Sequence, residues 1–222
     1  MHMDRRQFVK NLGLGTASLS MGSLVTASSC APSGDSSLKQ NVKEGEDGQF
    51  LFIGDDIAIA QTEYGKVQGY LLNHVYTFLG VPYGADTSGK NRFMPPQKPE
   101  PWTDVRPAVF YGNTAPQRME NRWPNNYGTF ADHWNYWDVS EDCLYLNVWT
   151  PGIADGKRRP VLVWLHGGGF TNGSGIEQDG YHGENISREG DIVFCSINHR
   201  LGPIGFSDLS GVGGEAYKDS GN

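Results

Sequence analysis

Two nearly uninterrupted apolar runs, separated by a glycine-rich stretch, constrain the fold of this chain most. The runs are residues 161–165 and 192–197. Runs of this kind are typical of strands buried on both faces, as in a parallel sheet covered by helices. The stretch between them has room for one short helix near residues 183–190, closed by Gly190. The pattern predicts an α/β unit of strand, glycine loop, short helix and strand.

The glycine triplet Gly167, Gly168 and Gly169 follows the first apolar run directly, after His166. Glycine has no Cβ, so its backbone takes positive φ readily and its N–H groups can point into open space. Preset N–H donors stabilise the oxyanion that forms when a nucleophile attacks an ester carbonyl, and lipases and esterases place such a loop after a buried strand. A tight turn that requires glycine explains the triplet equally well from these residues alone.

Short apolar and alternating segments predict further strands upstream of this unit. The first two flank a turn at Tyr64 and Gly65 and predict a hairpin. Five prolines between residues 95 and 107 exclude a regular helix or a central strand there. The predicted strands are residues 57–60, 66–71, 75–81 and 143–149.

An aromatic loop, residues 121–138, separates the upstream strands from the strand at residues 143–149. Its composition of aromatic side chains among Asn, Asp and Gly fits a surface loop packed on itself, and also the wall of a substrate pocket. Composition favours plain packing. The aromatic residues are Trp123, Tyr127, Phe130, Trp134, Tyr136 and Trp137.

Four segments, in the same order along the chain, resemble the type-B carboxylesterases, the family that includes the cholinesterases. The match covers the chain from about Gln61 onward, and four ordered motifs are far more specific than one glycine loop. The resemblance implies an α/β-hydrolase fold in which N-terminal antiparallel strands lead into a central mixed, mostly parallel sheet. It also implies hydrolysis of small-molecule carboxylic esters through an acyl-serine intermediate, without a cofactor. The segments are residues 78–83, 141–148, 166–170 and 198–206.

The resemblance assigns roles to several residues. The N–H groups of Gly168 and Gly169 correspond to two oxyanion donors, and the third donor would come from the residue after the catalytic serine. His166 and Gly167 are expected to support the loop and not to act as catalysts. Arg92 and Glu141 resemble a structural ion pair of the family, so we expect them to contribute to stability only.

The catalytic serine itself is not among the residues of this chain. Residues 205–209 come nearest to a Gly-x-Ser-x-Gly elbow and lack its last glycine. In these hydrolases the acid and the base follow the serine, so all three would lie beyond Asn222. We therefore expect the chain to be the N-terminal part of a longer domain, to be inactive alone and to fold poorly, because an apolar sheet edge would be exposed.

Three cysteines are too few for a disulfide framework. The family usually pairs the cysteine at position 143 with another one upstream, but residues 115–118 contain none. We therefore expect the aromatic loop to be held without that disulfide. Cys195, inside an apolar run, is predicted to be a small core residue.

The first 30 residues are typical of an export signal. Arg5 and Arg6 precede a modestly apolar stretch, as in twin-arginine signals, and small residues then lead to Cys30. Cys30 is a candidate lipid attachment site; ordinary cleavage after a small residue is the alternative. Residues 31–49 are predicted to be a flexible tether and residues 50–222 the hydrolase domain. We expect a bacterial protein exported to the periplasm or anchored by lipid to a membrane.

Other functions fit the sequence less well. The net charge of −7 argues weakly against nucleic acid. Residues 84–91 nearly match a phosphate-binding loop, but Asn91 replaces the magnesium-binding hydroxyl and the prolines that follow prevent the required helix. Residues His133, His182 and His199 have no metal-ligand spacing. A non-catalytic adhesion protein of the same family and a short gene product without activity remain as alternatives.

Overall fold

The computed structural model describes residues 50–118 and 138–221. The predictions for the export signal, Cys30, the tether, His133 and nearly all of the aromatic loop lie outside these residues. Three short α-helices occur in the described ranges, and we number them α1 to α3: Glu184–Gly190, Gly202–Phe206 and Ser210–Gly213. Single 3-10 turns lie at Gly89–Asn91, Asp179–Tyr181 and Glu215–Tyr217. None of the described helices is long and apolar enough to cross a membrane.

The described strands form two sheets, one of six strands and one of three. In chain order they are β1 Leu51–Phe52, β2 Ile59–Gln61, β3 Lys66–Gln68, β4 Tyr70–Leu72, β5 Val75–Pro82, β6 Arg106–Pro107, β7 Tyr145–Thr150, β8 Val161–Trp164 and β9 Val193–Ile197. The smaller sheet has the order β2-β3-β6, and the larger one β1-β4-β5-β7-β9-β8.

The predicted hairpin is confirmed, since β2 and β3 pair antiparallel and the Thr62 N–H donates to the Gly65 carbonyl at 2.9 Å. The run predicted as one strand, residues 66–71, is instead divided at Gly69 into β3 and β4, which belong to different sheets. A Cβ at Gly69 would overlap the Thr77 carbonyl of β5. The glycine therefore lets the chain pass close to β5 as it changes sheets.

The larger sheet is mixed, as the fold class requires. Along the order β1-β4-β5-β7-β9 each strand pairs antiparallel with the next, whereas β9 and β8 pair parallel. The described part of the sheet is therefore mostly antiparallel, and the expected parallel part is represented by one pair of strands. Helix α1 lies between β8 and β9 in the chain, as a parallel crossover requires.

The core lies on both faces of β5 and β7. On one face Val75, Leu79 and Trp149 pack with Phe194 of β9, and on the other Phe78 and Val81 pack with the smaller sheet. Helix α1 covers the Trp149 face, where the buried Ser187 hydroxyl donates to the Trp149 carbonyl at 3.0 Å. Because successive side chains of β5 point to opposite faces of the sheet, this one strand contributes to both clusters.

The prediction that both apolar runs are buried is right for β9 and wrong for β8. Cys195 is 9% exposed, as expected of a core residue, but Val161 and Val163 of β8 are 63% and 55% exposed. Strand β8 is at the edge of the sheet, with a partner on one side only. Among the described residues no helix covers it, so its apolar side chains meet solvent.

The predicted short helix is observed as α1, with a different end from the one expected. Gly190 is the last helical residue, and Asp191 takes the left-handed conformation with φ of 46°. Asp tolerates this conformation better than most side chains. The prolines of residues 95–107 lie outside helices and central strands, as predicted. One of them, Pro107, belongs to the two-residue edge strand β6.

Candidate active site

The glycine loop begins where β8 ends and turns back within a few residues. Gly168 and Gly169 have φ of 123° and 60°, a region that favours glycine, and Phe170 follows with 64°. The N–H groups of Thr171 and Asn172 donate to the Gly168 carbonyl at 3.2 and 3.3 Å. A Cβ at Gly168 would overlap the Asn172 carbonyl. The turn therefore requires glycine at position 168 for space as well as for φ.

The carbonyl of Gly168 accepts hydrogen bonds inside the turn, whereas the N–H groups of Gly168 and Gly169 are not used there. Among the hydrogen bonds of the described residues, none has the N–H of Gly168 or Gly169 as its donor. Both glycines are exposed. These two neighbouring N–H groups at the carboxyl end of a strand can thus donate hydrogen bonds to the lone pairs of a ligand oxygen, which is the chemistry that an oxyanion hole needs.

The segment after β9 supports the loop from its far side. The Gly202 N–H donates to the Phe170 carbonyl at 2.7 Å, and the Phe170 and Phe206 rings meet edge to face at 4.9 Å. Helix α2 carries Gly202 and Phe206, so the fourth motif of the sequence lies directly against the glycine loop.

Two histidines stack at the base of the loop. The rings of His166 and His199 are 4.7 Å apart and nearly parallel, at 10°. The Nδ1 atom of His166 lies 2.8 Å from the Gly167 carbonyl, and that of His199 lies 2.8 Å from the Arg200 carbonyl. These contacts are local and structural, and they suit the supporting role expected of His166.

Two side-chain amides hold the segment that leaves the loop, and sequence reasoning did not single them out. Gln117 exchanges two hydrogen bonds with the backbone of Gly173, at 2.8 and 2.9 Å. Buried Asn198 accepts from the Gly175 N–H at 2.8 Å and donates to the Asn113 carbonyl at 3.0 Å. Asn198 belongs to a motif that was noted, but these partners are far apart in the chain and no spacing rule links them.

The structure brings Arg92 and Glu141 together, with 2.7 Å between Nε and Oε1. The Arg92 side chain is half exposed, so the pair is a surface contact. Cys143 is a free thiol, fully buried in a small cluster with Ala115 and Leu201. Burial raises the pKa of Cys143 to about 12. Alanine thus packs beside Cys143 in the segment where no cysteine was found.

The remaining ionisable candidates lie away from the loop or serve packing. His182 packs against the Trp149 ring at 5.1 Å, and burial lowers its pKa, which keeps it neutral at pH 7. Tyr83 donates from its hydroxyl to the Asn198 carbonyl at 2.8 Å, and burial raises its pKa. No group of His, Cys, Asp and Glu suited to a metal ion occurs in the described ranges.

A mixed sheet with a glycine loop at the carboxyl end of a parallel strand defines this protein as an α/β-hydrolase. The model of the carboxylesterase family matches residues 56–216. The chain belongs to this family.

The relatives that the chain matches include esterases and other hydrolases. The chain is 45% identical over 157 residues to phenmedipham hydrolase of Pseudarthrobacter oxydans, a match that covers 71% of this chain and 30% of that protein. It is 39% identical to para-nitrobenzyl esterase of Bacillus subtilis, with coverage of 73% and 31%. The chain thus spans about a third of the length of the relatives it matches.

A solved structure agrees with the assignment of the fold. The chain superposes with a TM-score of 0.70 on an esterase from Clostridium hathewayi that can hydrolyse aliphatic aromatic polyesters. The sequences are 38% identical, and the match covers 78% of this chain and 33% of that one.

Proposed function

We propose that this chain supplies the oxyanion half of a serine carboxylesterase, with the N–H groups of Gly168 and Gly169 as two of its donors. The observation that carries the proposal is the pair of exposed N–H groups without acceptors in the described residues, held by a turn on the Gly168 carbonyl. The family supports ester hydrolysis as the reaction.

The proposed reaction is acyl transfer through serine. A serine hydroxyl attacks the ester carbonyl, a base accepts the hydroxyl proton, and the carbonyl oxygen becomes an oxyanion against the two glycine N–H groups. Each such donor lowers the barrier by about 3–4 kcal/mol. The alkoxide leaves with the proton from the base, and water then hydrolyses the acyl-serine by the same steps.

The serine, acid and base of this scheme belong to the intact protein, by which we mean a polypeptide that contains these residues together with a nucleophile elbow. We propose that the 222-residue chain alone has no serine-dependent turnover. We assign His166 to support of the loop, where its ring stacks on His199 and its Nδ1 contacts the Gly167 carbonyl, and not to proton transfer, because the base of these hydrolases follows the serine in the chain.

Hydrolysis of p-nitrophenyl esters and labelling by a fluorophosphonate test this function in the intact protein. Gly168→Ala is expected to lower kcat by about a hundredfold or more, because the Cβ displaces the turn and moves both donors. Gly180→Ala is the matched control, since a Cβ there meets open space. An intact protein that leaves these esters unchanged and resists labelling is the adhesion-type alternative, and the proposal is then wrong.

We also propose export of the protein by the twin-arginine route, with Cys30 lipidated. The support is the sequence of the first 30 residues alone. Substitution of Arg5 and Arg6 by lysine should retain the precursor in the cytoplasm. The mass of the mature protein should include a diacylglyceryl group at Cys30, and an unlipidated mass would contradict the anchor.

A further inference from the structure

The side chain of Gln117 pairs with the backbone of Gly173 as a strand residue would. Its Nε2 donates to the Gly173 carbonyl at 2.9 Å, and the Gly173 N–H donates to its Oε1 at 2.8 Å. The same Nε2 lies 3.2 Å from the Ala115 carbonyl. Among side chains that are uncharged at neutral pH at their ordinary pKa, only an amide presents a donor and an acceptor side by side in one plane, so the residue type matters here.

Gly173 is packed on the entry to the glycine loop. Its φ is 108°, and a Cβ there would overlap the Gly167 carbonyl and lie 2.5 Å from the His166 Nδ1. Between positions 167 and 173 the chain makes the turn that closes on the Gly168 carbonyl. Whatever fixes Gly173 therefore fixes both ends of a short loop at once.

Gln117 is at the wall of an open cavity and not in the interior. The volume of this cavity is about 620 Å³. Gln117 lines it together with Thr171, Asn172 and Leu201. The two hydrogen bonds between Gln117 and Gly173, which we call the clamp, thus lie beside a cavity next to the glycine loop.

We propose that Gln117 is a positioning residue for the oxyanion donors: its amide clamps Gly173 and thereby sets the direction of the Gly168 and Gly169 N–H groups. This inference rests on the proposed function. Preset donors are effective because they need no reorganisation as the charge develops, and small displacements of such groups are costly. Gln117 touches no reacting atom and acts only through the loop.

The substitution Gln117→Glu provides a test that packing alone would not satisfy. A protonated carboxyl keeps one donor and one acceptor, whereas a carboxylate accepts from the Gly173 N–H and repels the Gly173 carbonyl. In the intact esterase, kcat relative to wild type should be near one where this carboxyl is protonated and fall about tenfold as the carboxyl ionises, with KM nearly unchanged. His166, beside Gly173, and Arg118, the next residue along the chain, are present in both proteins, so their own effects on kcat cancel in the ratio. A positive charge on either favours the ionised form of the new carboxyl.

Two further variants control the test. Gln117→Met fills similar space without the hydrogen bonds and should lower kcat at every pH. Gln61→Glu adds the same charge at an exposed glutamine whose amide donates to the neighbouring Thr62 carbonyl at 2.8 Å, and its ratio to wild type should not change with pH. A pH-independent ratio for Gln117→Glu, or near wild-type kcat for Gln117→Met, would overturn the proposal.

A measurement without turnover separates this proposal from the esterase function. In the chain labelled with [15N]glycine, the amide signals of Gly168 and Gly169 should shift with pH in Gln117→Glu, following one ionisation, and stay flat in Gln61→Glu. Signals that do not move in Gln117→Glu refute the clamp even if the intact protein is an active esterase. Signals that move in Gln117→Glu, together with an intact protein that has no esterase activity, leave the clamp and refute the function.

Discussion

Strands β8 and β9 have similar apolar sequences and opposite surroundings. They pair parallel, with Leu162 opposite Phe194 and Val163 opposite Cys195. Phe194 is 4% exposed, and Leu162 is 38% exposed. The difference comes from position, because β9 lies between β7 and β8 whereas β8 has a partner on one side only.

The comparison shows that an apolar run specifies a strand but not its depth in the sheet. Depth depends on what lies on the second edge and on both faces, and those neighbours come from distant parts of a chain. Strand β8 is also the strand that delivers the glycine loop. The proposed donors therefore stand at the end of the least covered strand, and they depend on contacts from the segments around Gln117 and Asn198.

The largest expected effect is a difference in stability between variants at two residues that pair across these strands. Phe194→Ala should lower the free energy of unfolding by about 3–5 kcal/mol, because it empties a site between Trp149, Val75 and Leu79. Leu162→Ala should lower it by less than about 1 kcal/mol, since its side chain is already partly in water. Urea unfolding of the dilute chain, followed by tryptophan fluorescence, measures both.

Equal losses of unfolding free energy in Phe194→Ala and Leu162→Ala would contradict the difference in burial between β8 and β9. They would mean that β8 is covered in solution by residues outside the described ranges, or by another copy of the chain. A repeat at several protein concentrations distinguishes these two cases, because only coverage by a second copy depends on concentration.

The buried thiol of β9 gives the second contrast. Burial raises the pKa of Cys195 to about 11, so at pH 8 its thiolate fraction is about a hundredfold below that of an ordinary exposed thiol. In a Cys30→Ser background, a thiol reagent should therefore modify Cys195 at least about a hundredfold more slowly than the exposed reference Val212→Cys. Rapid labelling of Cys195 in the folded chain would contradict its burial.

The same pKa gives a sign for the dependence of stability on pH. A thiol whose pKa is higher in the folded state than in the unfolded one stabilises the fold fully below about pH 8.5, its ordinary pKa. That contribution is lost as the pH rises through about 11, and Cys143, with a pKa of about 12, acts in the same direction. Stability should therefore fall in this alkaline range, and Cys195→Ala should reduce the slope.

Much of the fold was predictable because it follows from local patterns. The strand at residues 75–81, the hairpin at Gly65 and the helix near residue 190 have apolar periods and turn residues that specify them within a few positions. The break at Gly69 was not predicted, since its cause is the close approach of the Thr77 carbonyl, a contact that only the assembled sheets create.

The site was predictable to the extent that backbone chemistry defines it. Consecutive glycines predict the loop from the sequence. The structure shows why Gly168 accepts no side chain, since a Cβ there would overlap the Asn172 carbonyl. The clamp by Gln117 was not predictable, because its partner is 56 residues away and a lone glutamine before a polar loop has no distinctive spacing. Contacts of this kind are fixed by tertiary packing alone.

A charged residue on β8 should reduce self-association of the chain through this exposed edge strand. The exposed apolar edge is expected to make the chain self-associate, and Val163→Lys places a charge at its centre. This variant should raise the monomer share in sedimentation velocity, whereas Val212→Lys, at an exposed position outside any sheet, should not. A chain that is already monomeric and melts cooperatively would contradict the expected liability of the edge.

The smallest expected effect on stability comes from the ion pairs that connect the segments just before β8 and β9. Arg159, two residues before β8, contacts Asp155 and Asp191 at 2.7 Å each, and Asp191 is two residues before β9. The hydrogen bond from Arg159 lowers the pKa of Asp155 to about 2 and also lowers that of Asp191. With little burial of β8, these contacts and the ladder itself are what hold the strand in place.

The sign of the pH effect follows from these lowered pKa values. A carboxyl with a lower pKa in the folded state stabilises the fold above its ordinary pKa of about 3.9, and the contribution is lost as the pH falls toward about 2. The urea midpoint should therefore fall between pH 4 and pH 2, and Arg159→Ala should make that fall smaller. Arg158→Ala removes a neighbouring exposed charge and should leave it unchanged. Equal slopes for the two variants would mean that β8 is held by its backbone ladder alone.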